Sequence, residues 1–245
     1  MHTWIGIDPG GKNCYGVALL DENVRTFCVS STDEAIAKVM AGLASAPAGV
    51  GIDAPLWWSS GPSSGRRADG WLRKRYGLAS GTVQAPNSLR GAAIVQGAMF
   101  AFRIRELFPN APITETHPKA VLNAFPNDVW ERFTALYELH TKHVNEHERD
   151  AVIAAVAARE GFEGRWEGDL SKYLNANEQI PAEYWLKPIH YFWPEAPCEE
   201  AHSDFHAFPG WHKRTLAEIE EKVVAGKEVP LEWERAKRTI MDKLN

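Results

Sequence analysis

Three short β-rich runs, Thr3 to Ile7, Tyr15 to Leu20 and Val24 to Val29, crowd the first 29 residues and dictate how the chain must begin to fold. The breaks between them, Asp8-Pro9-Gly10-Gly11 and Asp21-Glu22-Asn23, carry turn chemistry. Glycine reaches backbone angles closed to other residues, proline fixes its own, and Asp and Asn bond to nearby backbone groups. An antiparallel three-strand meander is therefore predicted. Ser31 or Thr32 suits the cap of a helix running to about residue 45, with Ala35, Ile36, Val39, Met40 and Leu43 at helical spacing. After Ala46-Pro47-Ala48-Gly49, the run Val50-Gly51-Ile52-Asp53 reads as a buried strand ending in an acid. The order βββαβ sets the class as α/β.

Further along, Gly91 to Phe108 is an Ala- and Gly-rich helix pattern whose small residues permit close packing on a sheet. Pro112-Ile113-Thr114-Glu115 is a short strand that also ends in an acid, and Thr116 and Pro118 suit the cap and first turn of another helix. Residues 128 to 142 read as helical. Asp150 opens Ala151 to Ala158, which is apolar on nearly every side, so this helix belongs in the interior. Beyond Gly161 the chain is rich in Trp, Pro, His and acids and finishes with two amphipathic helical patterns, about 213 to 225 and 230 to 244. The expected organisation is a domain over 1–160 with an insertion at 57–90, and a helical extension over 161–245 packed on it.

Composition limits the partners. The 245 residues carry a formal net charge of −5, which excludes a surface coated all over with positive charge. Any nucleic acid must be met by a local basic surface or through metal ions. Segment 57–90 is such a surface, since Arg66, Arg67, Arg73, Lys74, Arg75 and Arg90 stand against the single acid Asp69. Its arginines suit phosphates, and Trp57, Trp58 and Trp71 offer stacking faces. A plainer reading makes Arg73-Lys74-Arg75 the solvated face of a short helix and pairs Asp69 with a neighbouring arginine. Three cysteines, Cys14, Cys28 and Cys198, form no disulfide framework and suit a reducing compartment, with cytoplasm expected. No apolar run approaches the ~18 residues of a membrane helix. Cys198, His202, His206 and His212 have no standard zinc spacing and are discounted as a metal site.

The acids carry the chemistry. Asp8 follows the first strand, Asp53 and Glu115 end later ones, and Asp150 begins the interior helix. A buried carboxylate costs several kcal/mol unless paired, hydrogen-bonded or bound to a cation, and several facing one another repel. A divalent metal resolves both difficulties. Mg²⁺ or Mn²⁺ prefers carboxylate oxygens, and two such ions about 4 Å apart can activate water and stabilise the leaving oxygen of a phosphodiester. His147 lies three residues before Asp150, on the same helical face if the helix begins early enough. Each acid alone also has a structural reading: Asp8 in a turn, Asp150 as a helix cap, Asp53 held by backbone N–H groups, Glu115 paired with an arginine. Their joint placement favours a metal site.

These residues resemble a known superfamily. Gly6-Ile7-Asp8-Pro9-Gly10 on a first strand, an acid closing the strand after the first helix, and His147-x-x-Asp150-Ala151 at an Ala-rich helix are similar to the ribonuclease-H-like nucleases, especially the Holliday-junction resolvase branch. More narrowly, Gly51-Ile52-Asp53-Ala54-Pro55-Leu56, then Arg67-x-Asp69 and Leu72-Arg73, then Glu115-Thr116-His117-Pro118, resembles the family called domain of unknown function 429. The resemblance covers about residues 3 to 160. It implies a mixed sheet of three antiparallel strands followed by parallel ones, flanked by helices, with a metal-dependent phosphodiesterase site at the strand ends. It also implies that Asp8, Asp53 and Asp150 hold the metal and that His147 takes the fourth position. Two departures are plain: the resolvases usually carry Glu where Asp53 stands, and Glu115 has no counterpart in their metal set.

The reading is a nuclease that uses two Mg²⁺ or Mn²⁺ ions on Asp8, Asp53 and Asp150. His147 and Glu115 assist, and Arg66, Arg67, Arg73 and Lys12 contact DNA or RNA phosphates. No membrane partner is expected, and a homodimer is compatible with it. Two rivals stand beside it. Asp8-x-Gly10-Gly11-Lys12 on a first hairpin also suits the nucleotide-phosphate loop of an actin-like phosphotransferase. A binding module could keep the fold without catalysis.

Overall fold

The computed structural model describes residues 2–10, 14–59, 65–84, 91–124, 130–141, 144–174, 178–179 and 188–197. All lie within one compact unit, Met1–Ser203. Strands β1 (Trp4–Asp8), β2 (Tyr15–Leu20) and β3 (Val24–Val29) form the expected antiparallel meander. Helix α1 (Thr32–Gly42) follows, with the Ser31 side chain accepting from the Glu34 N–H. Strand β4 (Gly49–Ile52) then returns parallel to β1. A short strand β5 (Trp58–Ser59) and helices α2 (Arg67–Tyr76) and α3 (Gly91–Leu107) lead to β6 (Ile113–Glu115), which lies parallel to β4.

Helices α4 (Pro118–Ala124), α5 (Trp130–Leu136) and α6 (Glu146–Phe162) come next. After them stand β7 (Gly168–Asp169), β8 (Glu178–Gln179), β9 (Ile189–His190) and β10 (Phe192–Trp193). The main sheet has the order β3-β2-β1-β4-β6-β9, three antiparallel strands and then parallel ones, flanked by helices; it fits a ribonuclease-H-like fold. Two small ribbons, β5 with β8 and β7 with β10, stand beside it. The two C-terminal helical patterns at 213 to 225 and 230 to 244, and the Cys198 to His212 cluster, lie outside the described residues.

Two elements differ from the sequence reading. Helix α5 stops at Leu136 rather than near 142, and Glu138, at φ 52°, takes the left-handed conformation in which a helix cannot continue. Helix α6 begins at Glu146 instead of at Asp150, because Asn145 builds a capping box with Glu148. The Asn145 side chain accepts from the Glu148 N–H at 2.9 Å, and the Glu148 carboxylate accepts from the Asn145 N–H at 3.1 Å. Asp150 is therefore no cap; it sits in the second turn.

The cysteine reading is overturned. Register pairs Tyr15 with Val29 and Gly16 with Cys28, which brings Cys14 diagonally beside Cys28; the two form a disulfide with Cα atoms 5.4 Å apart. The cysteines therefore lend no support to a reducing compartment. No helix among the described residues is long and apolar enough to cross a membrane.

Helix α6 decides where the acids meet. Its Ala151 to Ala158 are buried, most of them completely, and small side chains let its backbone descend onto the sheet. The sheet is cut to receive it. A Cβ on Gly6 would stand 1.8 Å from the Ala151 carbonyl oxygen, and one on Gly51 would stand 1.9 Å from that of Ala154. Side chains alternate along a strand, so the face that Gly6 and Gly51 turn to α6 is also the face of Asp8 and Asp53. On the opposite face lie α1 and α3, where Gly42 abuts Leu19 and Gly97 abuts Ala54 and Ile52. Gly51→Ala is expected to lift α6 and cost about 1–3 kcal/mol by overpacking, read as a lower urea midpoint. It should weaken Mn²⁺ binding as well, whereas an alanine at the exposed Gly91, which meets no atom within 4 Å, should leave both unchanged.

Candidate metal centre

Asp8 ends β1, Asp53 follows β4 directly, and Asp150 comes off α6 one turn beyond its start. One carboxylate oxygen from each lies within 4.8 Å of the others, close enough for a shared cation. Asp8 and Asp150 are buried, and Asp53 is partly so. Burial pushes the Asp8 carboxyl up to about 9, reinforced by the negative charges of Asp53 and Asp150. Burial likewise raises Asp150 to about 6, with Asp53 adding to it, while Arg149 pulls the other way. Arg149 holds Asp150 Oδ1 from its Nε at 2.9 Å and its terminal nitrogen at 2.8 Å. The fit to a divalent metal is direct: three carboxylate oxygens converge, and their mutual repulsion, which Arg149 offsets in part at Asp150, is what a divalent cation would relieve.

The early start of α6 places His147 on the same face as Asp150, and its Nδ1 lies 2.7 Å from Asp8 Oδ2. A second histidine, His117, approaches from the loop between β6 and α4. Its Nε2 is 2.6 Å from the Thr82 carbonyl oxygen, where it can only donate, and its Nδ1 faces Asp53 Oδ1 at 3.6 Å. Burial works against its charge, but Asp53 and the Thr82 carbonyl outweigh this and hold the imidazole above its ordinary pKa. Lys119, in the first turn of α4, reaches across to Glu146 at 2.9 Å. His117 stands in the string Glu115-Thr116-His117-Pro118 that carries the family resemblance, which is the signal that marks it in the sequence. Lys119 had none, because its position depends on how α4 packs beside α6.

The remaining expected residues lie elsewhere around this centre. Glu115 turns its carboxylate to Arg66, at 2.6 and 2.8 Å, and accepts from the Leu56 N–H at 2.8 Å. Arg66 is 3% exposed, and its five N–H groups are all engaged: two by Asp69, two by Glu115 and one by the Trp57 carbonyl. Its guanidinium also stacks 4.3 Å from the Trp57 ring centroid. This is the arginine pairing that the plainer reading allowed for Asp69 and Glu115. Burial opposes the Arg66 charge, but Glu115 and Asp69 outweigh it and raise its pKa. Arg67 donates to the Leu174 carbonyl, Arg73 to the Val83 carbonyl, and Arg75 to Glu195. Of the tryptophans, Trp57 is buried, Trp58 is exposed, and Trp71 packs edge-on against Tyr76 and Trp193. Lys12 and Arg90 lie outside the described residues.

The carboxylates form one wall of a cavity of about 260 Å³ that is continued by His117, Thr116, Tyr191 and the segment 81–84. Thr116 is 2% exposed, and its hydroxyl has no hydrogen-bond partner. Compared with known proteins, residues 6–132, just over half the chain, match a family described as "Protein of unknown function (DUF429)". No curated protein and no solved structure matches the chain.

Proposed function

We propose, since the chain belongs to the DUF429 family and folds its acids into one metal-ready cluster, that it is a metal-dependent hydrolase of phosphodiester bonds in nucleic acid. The observation that carries this reading is the convergence of Asp8, Asp53 and Asp150 within 4.8 Å at the carboxyl ends of parallel strands and on a buried helix. Asp8, Asp53 and Asp150 would hold Mg²⁺ or Mn²⁺, two ions in this reading. Such ions, when bound, stabilise charge on the phosphate oxygens and lower the pKa of water.

The chain's own groups divide the remaining work. His147 sits on Asp8 Oδ2 at 2.7 Å, partly open to solvent, where its ring can hold or pass on a proton at the reacting centre. Arg149 fixes Asp150 through its Oδ1. His117, anchored on the Thr82 carbonyl, faces Asp53 at 3.6 Å and helps to position it. The arginines of segment 57–90 that reach the surface support a contact with DNA or RNA beyond the cut site.

The test is cleavage of single-stranded, duplex, branched and hybrid substrates with Mn²⁺, comparing wild type with Asp8→Asn. The expected outcome is cleavage by wild type and a loss of at least about 100-fold in the variant, the scale on which removing a metal ligand or its support acts. A variant as active as wild type would remove Asp8 from the site. Nucleotide binding by calorimetry without any cleavage would favour a phosphotransferase instead.

A further inference from the structure

We propose that Lys119 is the phosphate-binding cation of this centre, exchanging its ion pair with Glu146 for an oxygen of the substrate phosphodiester. This deepens the hydrolase reading and rests on it. Among the described residues lining the cavity, the basic side chains are Arg66, Lys119, His117 and His147. Arg66 has every N–H engaged. His147 is bound to Asp8 and His117 to the Thr82 carbonyl. The α2 arginines that first suggested a phosphate clamp, Arg67, Arg73 and Arg75, do not line the cavity.

Lys119 differs from all of these. Its ammonium is 2.9 Å from Glu146, and both side chains are more than half exposed, at 53% and 58%. An exposed pair of this kind costs little to separate. Glu146 would not be stranded, because Arg149 stands 3.9 Å from it. Lys119 is also within electrostatic reach of the centre, since its charge opposes the upward push on both Asp8 and Asp150. Glu146 opens α6 one turn before Asp150, so the Lys119–Glu146 pair crosses from α4 to α6 beside the carboxylates. A lysine fits the task, with three donors on a flexible stem that can follow a phosphate as it enters.

The experiment uses the full chain and an end-labelled single-stranded oligonucleotide, as DNA and as RNA. Binding is read by anisotropy with Ca²⁺ and cleavage with Mn²⁺, while thermal melts follow Mn²⁺ binding. Lys119→Gln should weaken binding roughly tenfold or more, the value of one charge-assisted hydrogen bond. It should leave the Mn²⁺-induced rise in Tm intact. Lys119→Arg should restore most of the binding, and Glu146→Gln should tighten it by freeing the lysine. Lys119→Gln binding as tightly as wild type would overturn the proposal and leave the hydrolase reading standing. Binding that depends on Lys119 without any cleavage would overturn the hydrolase reading and leave Lys119 as the phosphate contact. A wild type that binds neither oligonucleotide would overturn both.

Discussion

Arg66→Met is expected to destabilise the protein by about 3–5 kcal/mol, the usual effect of removing one partner from a buried ion pair. The substitution leaves Asp69 and Glu115, whose side chains are 1% and 2% exposed, without their cation. It also removes the guanidinium from the Trp57 ring. Urea unfolding at neutral pH measures it. The same change made with Asp69→Asn and Glu115→Gln should recover a large part of the loss, because neutral amides tolerate burial far better than carboxylates. A loss below about 1 kcal/mol, the range of an exposed pair, would show that the cluster is hydrated and not structural. The effect should reach the metal centre too. Glu115 pairs with Ile52 across β6 and β4 and bonds the Leu56 N–H, so it frames the turn that carries Asp53.

Asp8→Asn should act in the opposite direction on stability, making the metal-free protein more stable at pH 8 by roughly 2–4 kcal/mol. In the folded chain the Asp8 pKa is raised from 3.8 to about 9 by burial and by Asp53 and Asp150. The folded state therefore keeps a proton that the unfolded chain releases, and its stability falls as pH climbs from about 4 through about 9. Asparagine carries no charge to bury and escapes that loss. Melting curves in EDTA between pH 5 and 9 should show wild type declining more steeply than the variant. Added Mn²⁺ should raise the wild-type Tm, increasingly so at higher pH, since the ion competes with the Asp8 proton. It should leave the variant almost unmoved. Equal metal-induced shifts in both proteins would exclude Asp8 as a ligand.

Much of this was legible in the chain. The meander, α1, β4, β6 and the interior Ala helix follow from turn chemistry and from the spacing of apolar residues. The three acids could be picked out because each borders a run too apolar to accept a carboxylate without a purpose. What the sequence concealed depends on distance rather than order. The start of α6 turned on Asn145 and Glu148 satisfying one another, a reciprocal pair that looks like any polar stretch. Arg66 read as a surface cation because its burial depends on Trp57, from the loop before β5, and Glu115, from β6. The Cys14–Cys28 disulfide required the hairpin register, which wide spacing along the chain does not show.

The seating of α6 on Gly6 and Gly51 has a consequence in time. As the chain is made from its N-terminus, Asp8 and Asp53 emerge early, but Asp150 arrives only with the helix that spans Glu146–Phe162. Until that helix docks, two of the three carboxylates stand near each other without the third, and the nascent chain lacks a complete centre. A complete three-acid cluster thus depends on the completion of the domain, and a fragment ending before residue 146 should not bind Mn²⁺ tightly.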